Sequence, residues 1–227
     1  MKTTLLAFVL LFALISQPLL GAAEASPEEV VDTSGKILLG AAEASPEEVV
    51  DTSGKILRAG VHYNILLSMP YGKCRIQQGL GVSKIGKACP LDVVVVERYN
   101  SLPLRFIPVN PKKGVIRVST DLNIMFPPNV TCPHHSTVWK LDKKEVSKGR
   151  LVSFVSTDGV KGNPGVETIG NWFKIEKYGG GYKLVYCPSV CPSCKHDCEN
   201  VGMFVDQKGN RRLALSAVPF QVKFLKA

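Results

Sequence analysis

Seven cysteines, at positions 74, 89, 132, 187, 191, 194 and 198, are the side chains with the most chemistry to offer. Four of them crowd into the run Cys187-x3-Cys191-x2-Cys194-x3-Cys198, a spacing that would suit a tetrahedral zinc ion. Oxidation to disulfides is the alternative, and the compartment decides between the two. Lys2 opens the chain with positive charge, Leu5 to Ile15 is unbroken apolar sequence, and small residues follow at Gly21, Ala22, Ala23 and Ala25. That order reads as a secretory signal peptide over residues 1–23, with cleavage after Ala23 or Ala25. The run is well short of the roughly 20 residues that span a bilayer, and no later stretch is longer. Export therefore favours disulfides over zinc. An odd count leaves one thiol over, and composition alone permits roughly a hundred three-bridge arrangements.

Other reactive patterns are absent or weak. The chain has no Gly-x-Ser-x-Gly elbow, no His-Glu-x-x-His pair and no phosphate-cradling glycine loop, the signatures of common hydrolase and nucleotide sites. A Cys–His nucleophile needs a free, activated thiol, and an oxidised chain spares only one. The expectation is a protein that binds, not an enzyme, with no cofactor and no metal. His134 and His135 are adjacent and read as surface imidazoles. Trp139 and Trp172 read as core aromatics. Asn129-Val-Thr131 is an acceptor sequon in a Pro-rich loop before Cys132, so Asn129 is expected to carry a glycan.

Charge divides the chain. Residues 1–51 hold two lysines against eight acids, net −6, whereas residues 52–227 hold 26 basic and 11 acidic residues, net +15. A field that basic attracts acidic partners, but the cations are dispersed singly or in pairs, which is better explained by solubility. Leu20 to Leu38, LGAAEASPEEVVDTSGKIL, recurs without change from Leu39 to Leu57. Two copies do not make a repeat architecture. They read as a local duplication that leaves residues 24–44 as an acidic, disordered tail, with one domain over 45–227. That length is enough for a single ordinary core.

The elements that must position these residues are short and β-rich. Strands are expected at Tyr63–Met69, Leu91–Glu97, Leu104–Ile107, Val115–Ser119, Leu122–Phe126, Thr137–Leu141, Leu151–Ser156, Trp172–Lys177, Tyr182–Cys187, Val201–Val205, Arg211–Ser216 and Phe220–Leu225. Turn residues separate them, among them Gly162-Asn-Pro-Gly165 and Gly179-Gly-Gly181. Twelve short strands argue for a closed or sandwich-like all-β architecture, and the GGG turn should join Trp172–Lys177 to Tyr182–Cys187. An RNA-binding barrel has the same pattern, but aromatic content is low and export argues against nucleic acid.

Several motifs, in order, resemble the Kunitz-type soybean trypsin inhibitor family: Val50-Asp-Thr-Ser-Gly-Lys-Ile-Leu57, Cys89-Pro-Leu-Asp-Val-Val94, Trp172-Phe-Lys-Ile175, Tyr182-Lys-Leu-Val-Tyr-Cys187 and Arg211-Arg-Leu-Ala-Leu-Ser216. The cluster Val190–Cys198 and the segment Val115–Phe126 resemble its miraculin-like branch. The resemblance covers about Val49 to Leu225. It implies a β-trefoil of twelve strands in three pseudo-repeats, stapled by Cys89–Cys132, Cys187–Cys198 and Cys191–Cys194. Cys74 is then the leftover, either a free thiol or the link of a disulfide-bonded homodimer.

The resemblance also implies a function. Family members that inhibit proteinases present one exposed, preorganised loop between the Cys89 strand and the 115–126 segment, so that little ordering entropy is lost on binding. Here the loop maps to Ile107, Pro108, Val109, Asn110, Pro111, Lys112 and Lys113, with the pocket-filling position at Val109 or Asn110. Neither is basic, and the bracing asparagine of the family is replaced by Ala59. Prolines 108 and 111 restrict φ and compensate in part. The expected function is a defence-related inhibitor of serine or cysteine proteinases, weak or altered in specificity, secreted to the cell wall with the vacuole open. No nucleic acid or membrane is expected as a partner. A non-inhibitory miraculin-like defence or binding protein is the alternative. A carbohydrate-binding trefoil is the second, disfavoured by the lack of any Gln-x-Trp motif.

Overall fold

The computed structural model describes residues 45–68, 77–85, 89–128, 132–142 and 144–227, together with two short strands nearer the N-terminus. Residues 1–23, expected as a signal peptide, most of residues 24–44, Cys74 and Asn129 lie outside the described residues. Two compact units are distinguished, Met1–Ala44 and Ser45–Ala227. In the first, β1 (Val30–Val31) pairs antiparallel with β2 (Ile37–Leu38).

Among its described residues the second unit is all β, with three short 3-10 turns. Its strands are β3 (His62–Ser68), β4 (Gln78–Ser83), β5 (Asp92–Glu97), β6 (Leu104–Pro108), β7 (Leu122–Met125), β8 (Lys140–Leu141) and β9 (Glu145–Ser147). They continue as β10 (Arg150–Val152), β11 (Val155–Ser156), β12 (Lys174–Tyr178), β13 (Gly181–Tyr186), β14 (Glu199–Val205), β15 (Arg211–Ser216) and β16 (Gln221–Lys226). Pairing runs β3–β4–β5–β15–β14–β13–β16 and returns to β3. The sheet is thus closed; β6 with β7, β12, and β11 with β8 are added to it, while β9 and β10 form a separate two-stranded sheet. This is the β-trefoil architecture that the motifs imply.

Aromatic and branched side chains fill the closed sheet. Phe106 meets Phe224 edge-on at 5.4 Å, and Trp139 meets Phe173 edge-on at 5.9 Å. Trp139 and Trp172 are both buried, as expected of core aromatics. Each such large side chain removed from water contributes roughly 1.5–3 kcal/mol. The predicted hairpin forms between β12 and β13, with Tyr178 opposite Gly181 across the reversal Gly179-Gly180.

Several strand expectations are revised: of Thr137–Leu141 only Lys140–Leu141 is a strand, with Val138 making a single bridge to Met125, and Glu145–Ser147 forms β9 where no strand is expected. Gln78–Ser83 is β4, a strand outside the expected set and one that carries two glycines although glycine is depleted in strands. Gly79 and Gly81 are there because a loop lies on them: a Cβ at Gly79 would stand 2.5 Å from the Ser101 Cβ. Val115–Ser119 makes only single bridges, Arg58 to Val115 and Glu48 to Arg117. Left-handed backbone at Gly114 (φ 63°) and Ser119 (φ 55°) bounds it too tightly for a ladder. Leu151–Ser156 divides into β10 and β11, the first pairing β9 and the second pairing β5 and β8.

Candidate functional site

The segment after β6 is fastened at both ends. Pro108 still pairs with Leu122, and the Val109 amide donates to the Asp121 carbonyl at 2.9 Å. Asn110 is extended (φ −107°, ψ 90°), and Pro111–Lys113 then coil into one 3-10 turn. The Lys113 amide donates to the Asn110 carbonyl, and the Gly114 amide to that of Pro111, both at 3.3 Å. Gly114 closes the turn in the left-handed region, and its carbonyl accepts the Ala59 amide at 3.0 Å. Pro108 is buried and Ile107 half-buried, while Val109, Asn110, Pro111, Lys112 and Lys113 are exposed. Ala59 has no side-chain amide to offer, but its backbone still holds the far end of the loop.

Beneath the near end sits a buried polar group. The Asp121 carboxylate accepts the Ser189 amide on both oxygens, at 3.1 and 3.2 Å, and lies 3.9 Å from Lys174 Nζ. Lys174 in turn donates to the Ser189 hydroxyl. Burial pushes the Asp121 pKa up; the Ser189 bonds and the Lys174 charge oppose that rise without cancelling it. Ser189 belongs to the cysteine-rich segment, so the root of the loop is tied to the disulfide cluster.

The sulfurs are joined as Cys89–Cys132, Cys187–Cys198 and Cys191–Cys194, with Cα separations of 5.9, 4.4 and 5.4 Å. Each separation fits ordinary disulfide geometry. The second bond closes an eleven-residue span and the third lies inside it. Among the described residues no group of histidines, cysteines and carboxylates is arranged to hold a metal ion. His134 is exposed, and His135 Nδ1 lies 3.2 Å from Asp158 Oδ1.

A second exposed segment occupies the other end of β6. Arg98–Asn100 form a 3-10 turn, and Tyr99 is 79% exposed. Ser101 is extended (φ −73°, ψ 147°), and its amide and hydroxyl both bond the Arg98 carbonyl. The Leu102 amide donates to Leu80 at 2.8 Å, and the Arg98 amide to Gln77 at 2.9 Å. This brace is supplied by β4, the strand hidden in the sequence. The paired glycines of Gln-Gly-Leu-Gly were its signal: alternating positions without a Cβ allow another backbone to lie close.

These features, a closed trefoil with nested disulfides and two fastened loops at the ends of one strand, define a class of disulfide-braced β-trefoil scaffold. The family model described as trypsin and protease inhibitor, Kunitz_legume, matches residues 49–226. The chain belongs to this Kunitz family. Miraculin of Synsepalum dulcificum is 48% identical over 226 residues, covering 95% of this chain and 91% of that protein. Kunitz trypsin inhibitor 5 of Arabidopsis thaliana is 43% identical over 230 residues, covering 100% of both chains. Among solved structures, a Kunitz-type cysteine protease inhibitor from potato superimposes with a TM-score of 0.70 at 34% identity, covering 80% of this chain and 98% of its own.

Proposed function

We propose that this chain is an exported, non-enzymatic proteinase inhibitor, weak or altered in specificity, and that the Ile107–Lys113 segment makes the contact. The observation that carries this reading is the fastening of that loop, from the Asp121 carbonyl at one end to the Ala59 amide at the other. A loop ordered before binding loses little entropy on binding. The side chains at Val109 and Asn110 carry no positive charge, so an acidic specificity pocket of the trypsin type has nothing to pair with there. The relatives named as trypsin and cysteine protease inhibitors support a proteinase as partner and leave its type to experiment. Titration against trypsin, chymotrypsin, subtilisin and papain tests this. Absence of inhibition at micromolar protein would reject it and favour the non-inhibitory role suggested by the likeness to miraculin.

A second reading places the contact on Arg98–Pro103. Ser101 there is extended, the conformation a proteinase cleft accepts, whereas Pro111–Lys113 coil. Tyr99→Ala and Asn110→Ala, each assayed against the enzyme that responds in the panel, separate the two loops. The reading includes export, tested by N-terminal sequencing of the natural protein. It also includes a glycan on Asn129, tested by a glycosidase mass shift. A dimer linked through Cys74 is its remaining element, tested by non-reducing electrophoresis.

A further inference from the structure

The duplicated segment offers two identical ligands to one slot. In the folded domain, Val49 and Leu57 are fully buried. The Val49 amide donates to the Ile116 carbonyl at 2.9 Å, and the Ile116 amide to the Leu57 carbonyl at 3.0 Å. The Val50 amide reaches the Tyr182 hydroxyl at 3.0 Å, and Thr52 the Phe224 carbonyl at 2.8 Å. All the receiving groups lie outside the duplicated segment, on Ile116, Tyr182 and Phe224. Every residue of the segment that meets them has an identical counterpart nineteen positions upstream: Val30, Val31, Thr33 and Leu38.

The upstream copy also adopts the same pairing. Val31 opposes Ile37, as Val50 opposes Ile56. Val30 opposes Leu38, as the Leu57 amide bonds Val49. Cleavage after Ala23 or Ala25 leaves all of these residues in the mature chain. We infer that the slot formed by Ile116, Tyr182 and Phe224 accepts either copy, so that the chain has two registers: residues 47–57 docked, or residues 28–38 docked with 39–61 looped out.

Identical side chains make identical contacts, so the registers differ only in what flanks them. The downstream register adds the Arg58–Val115 bridge and the bond from Ala59 to Gly114, and it is the one observed. The upstream register must close a loop over residues 39–61, a cost that grows only slowly with length. Thus the downstream copy dominates until it is damaged, and the upstream copy then replaces it.

The test uses the full mature chain with Leu38→Asp, with Leu57→Asp and with both, each followed by near-ultraviolet thermal unfolding. An aspartate at the buried Leu57 position has no partner there and is strongly destabilising. With two registers, Leu38→Asp unfolds as the parent does and Leu57→Asp keeps a cooperative transition within about 10 °C of it. The double variant loses that transition. Leu57→Asp should also gain a protease-sensitive site within residues 39–61 while the barrel stays resistant. Equal loss in Leu57→Asp and in the double variant would overturn the inference, as would a double variant as stable as the parent.

Discussion

Gly79 and Ser101 stand so close that a single added Cβ on the glycine would lie 2.5 Å from the Ser101 Cβ and 3.1 Å from the Ile65 carbonyl. The contact presses the Arg98–Pro103 loop onto β4. Gly79→Ala should therefore cost about 1–3 kcal/mol through overpacking, read as a lower denaturant midpoint. It should also speed proteolytic nicking within residues 98–103, which a purely global effect would not localise.

Asn110 is exposed and extended at the head of its turn. On the proposed reading, Asn110→Arg gives a trypsin-type pocket its missing cation, and trypsin binding should tighten at least about tenfold, roughly 1.4 kcal/mol. An inhibition constant unchanged in a variant that melts normally would move the contact to Arg98–Pro103.

The three disulfides close spans of 43, 11 and 3 residues. In the loop-entropy model their removal costs about 4, 3 and 1.5 kcal/mol in that order. Cys89→Ser with Cys132→Ser should thus lower the melting temperature most, and Cys191→Ser with Cys194→Ser least. If the inner pair costs as much as the outer ones, chain restriction is not its main contribution.

Two carboxylates, the half-buried Asp142 and the turn-forming Asp51, should respond to pH with opposite signs. Burial raises the Asp142 pKa above 3.8, with Ser156 and Lys140 opposing. Its contribution to stability is therefore fully present below the unfolded value and is lost as pH rises through the folded value. Asp142→Asn should remove that slope, so the variant gains on the parent between mildly acidic and neutral pH. Asp51 goes the other way. Ser53 lowers its pKa chiefly through a side-chain bond, and backbone bonds from Lys55 and Ser53 add to that. Its contribution is present above 3.8 and disappears as pH falls through the folded value. Asp51→Asn should accordingly cost stability at neutral pH and cost little in acid. Denaturant midpoints across pH 3–7, about the range over which both groups titrate, check both signs.

Much of the domain was legible because its strands alternate and its turns carry glycine. Lys174–Tyr178 and Gly181–Tyr186 were readable from Trp172-Phe-Lys-Ile-Glu and the following glycines. The same chemistry made Asp51 and Asp206 turns: each carboxylate accepts amides two and four residues ahead, and each turn closes on a left-handed glycine, Gly54 or Gly209. What stayed hidden depends on long-range contact. β4 violates strand propensity because Ser101, 22 residues away, demands the space. Val115–Ser119 has strand-like residues, but positive φ at Gly114 and Ser119 breaks it. The polar root of the 107–113 loop joins Asp121, Lys174 and Ser189, which share no local pattern.

β6 separates its two terminal loops by only five residues, about 17 Å of extended chain. A globular enzyme is at least about 30 Å across, wider than β6 is long, so the number of enzymes held per chain reports how the two ends are turned: a titration breaking at equimolar ratio means that they face one side, and a break at two enzymes per chain means that they face apart.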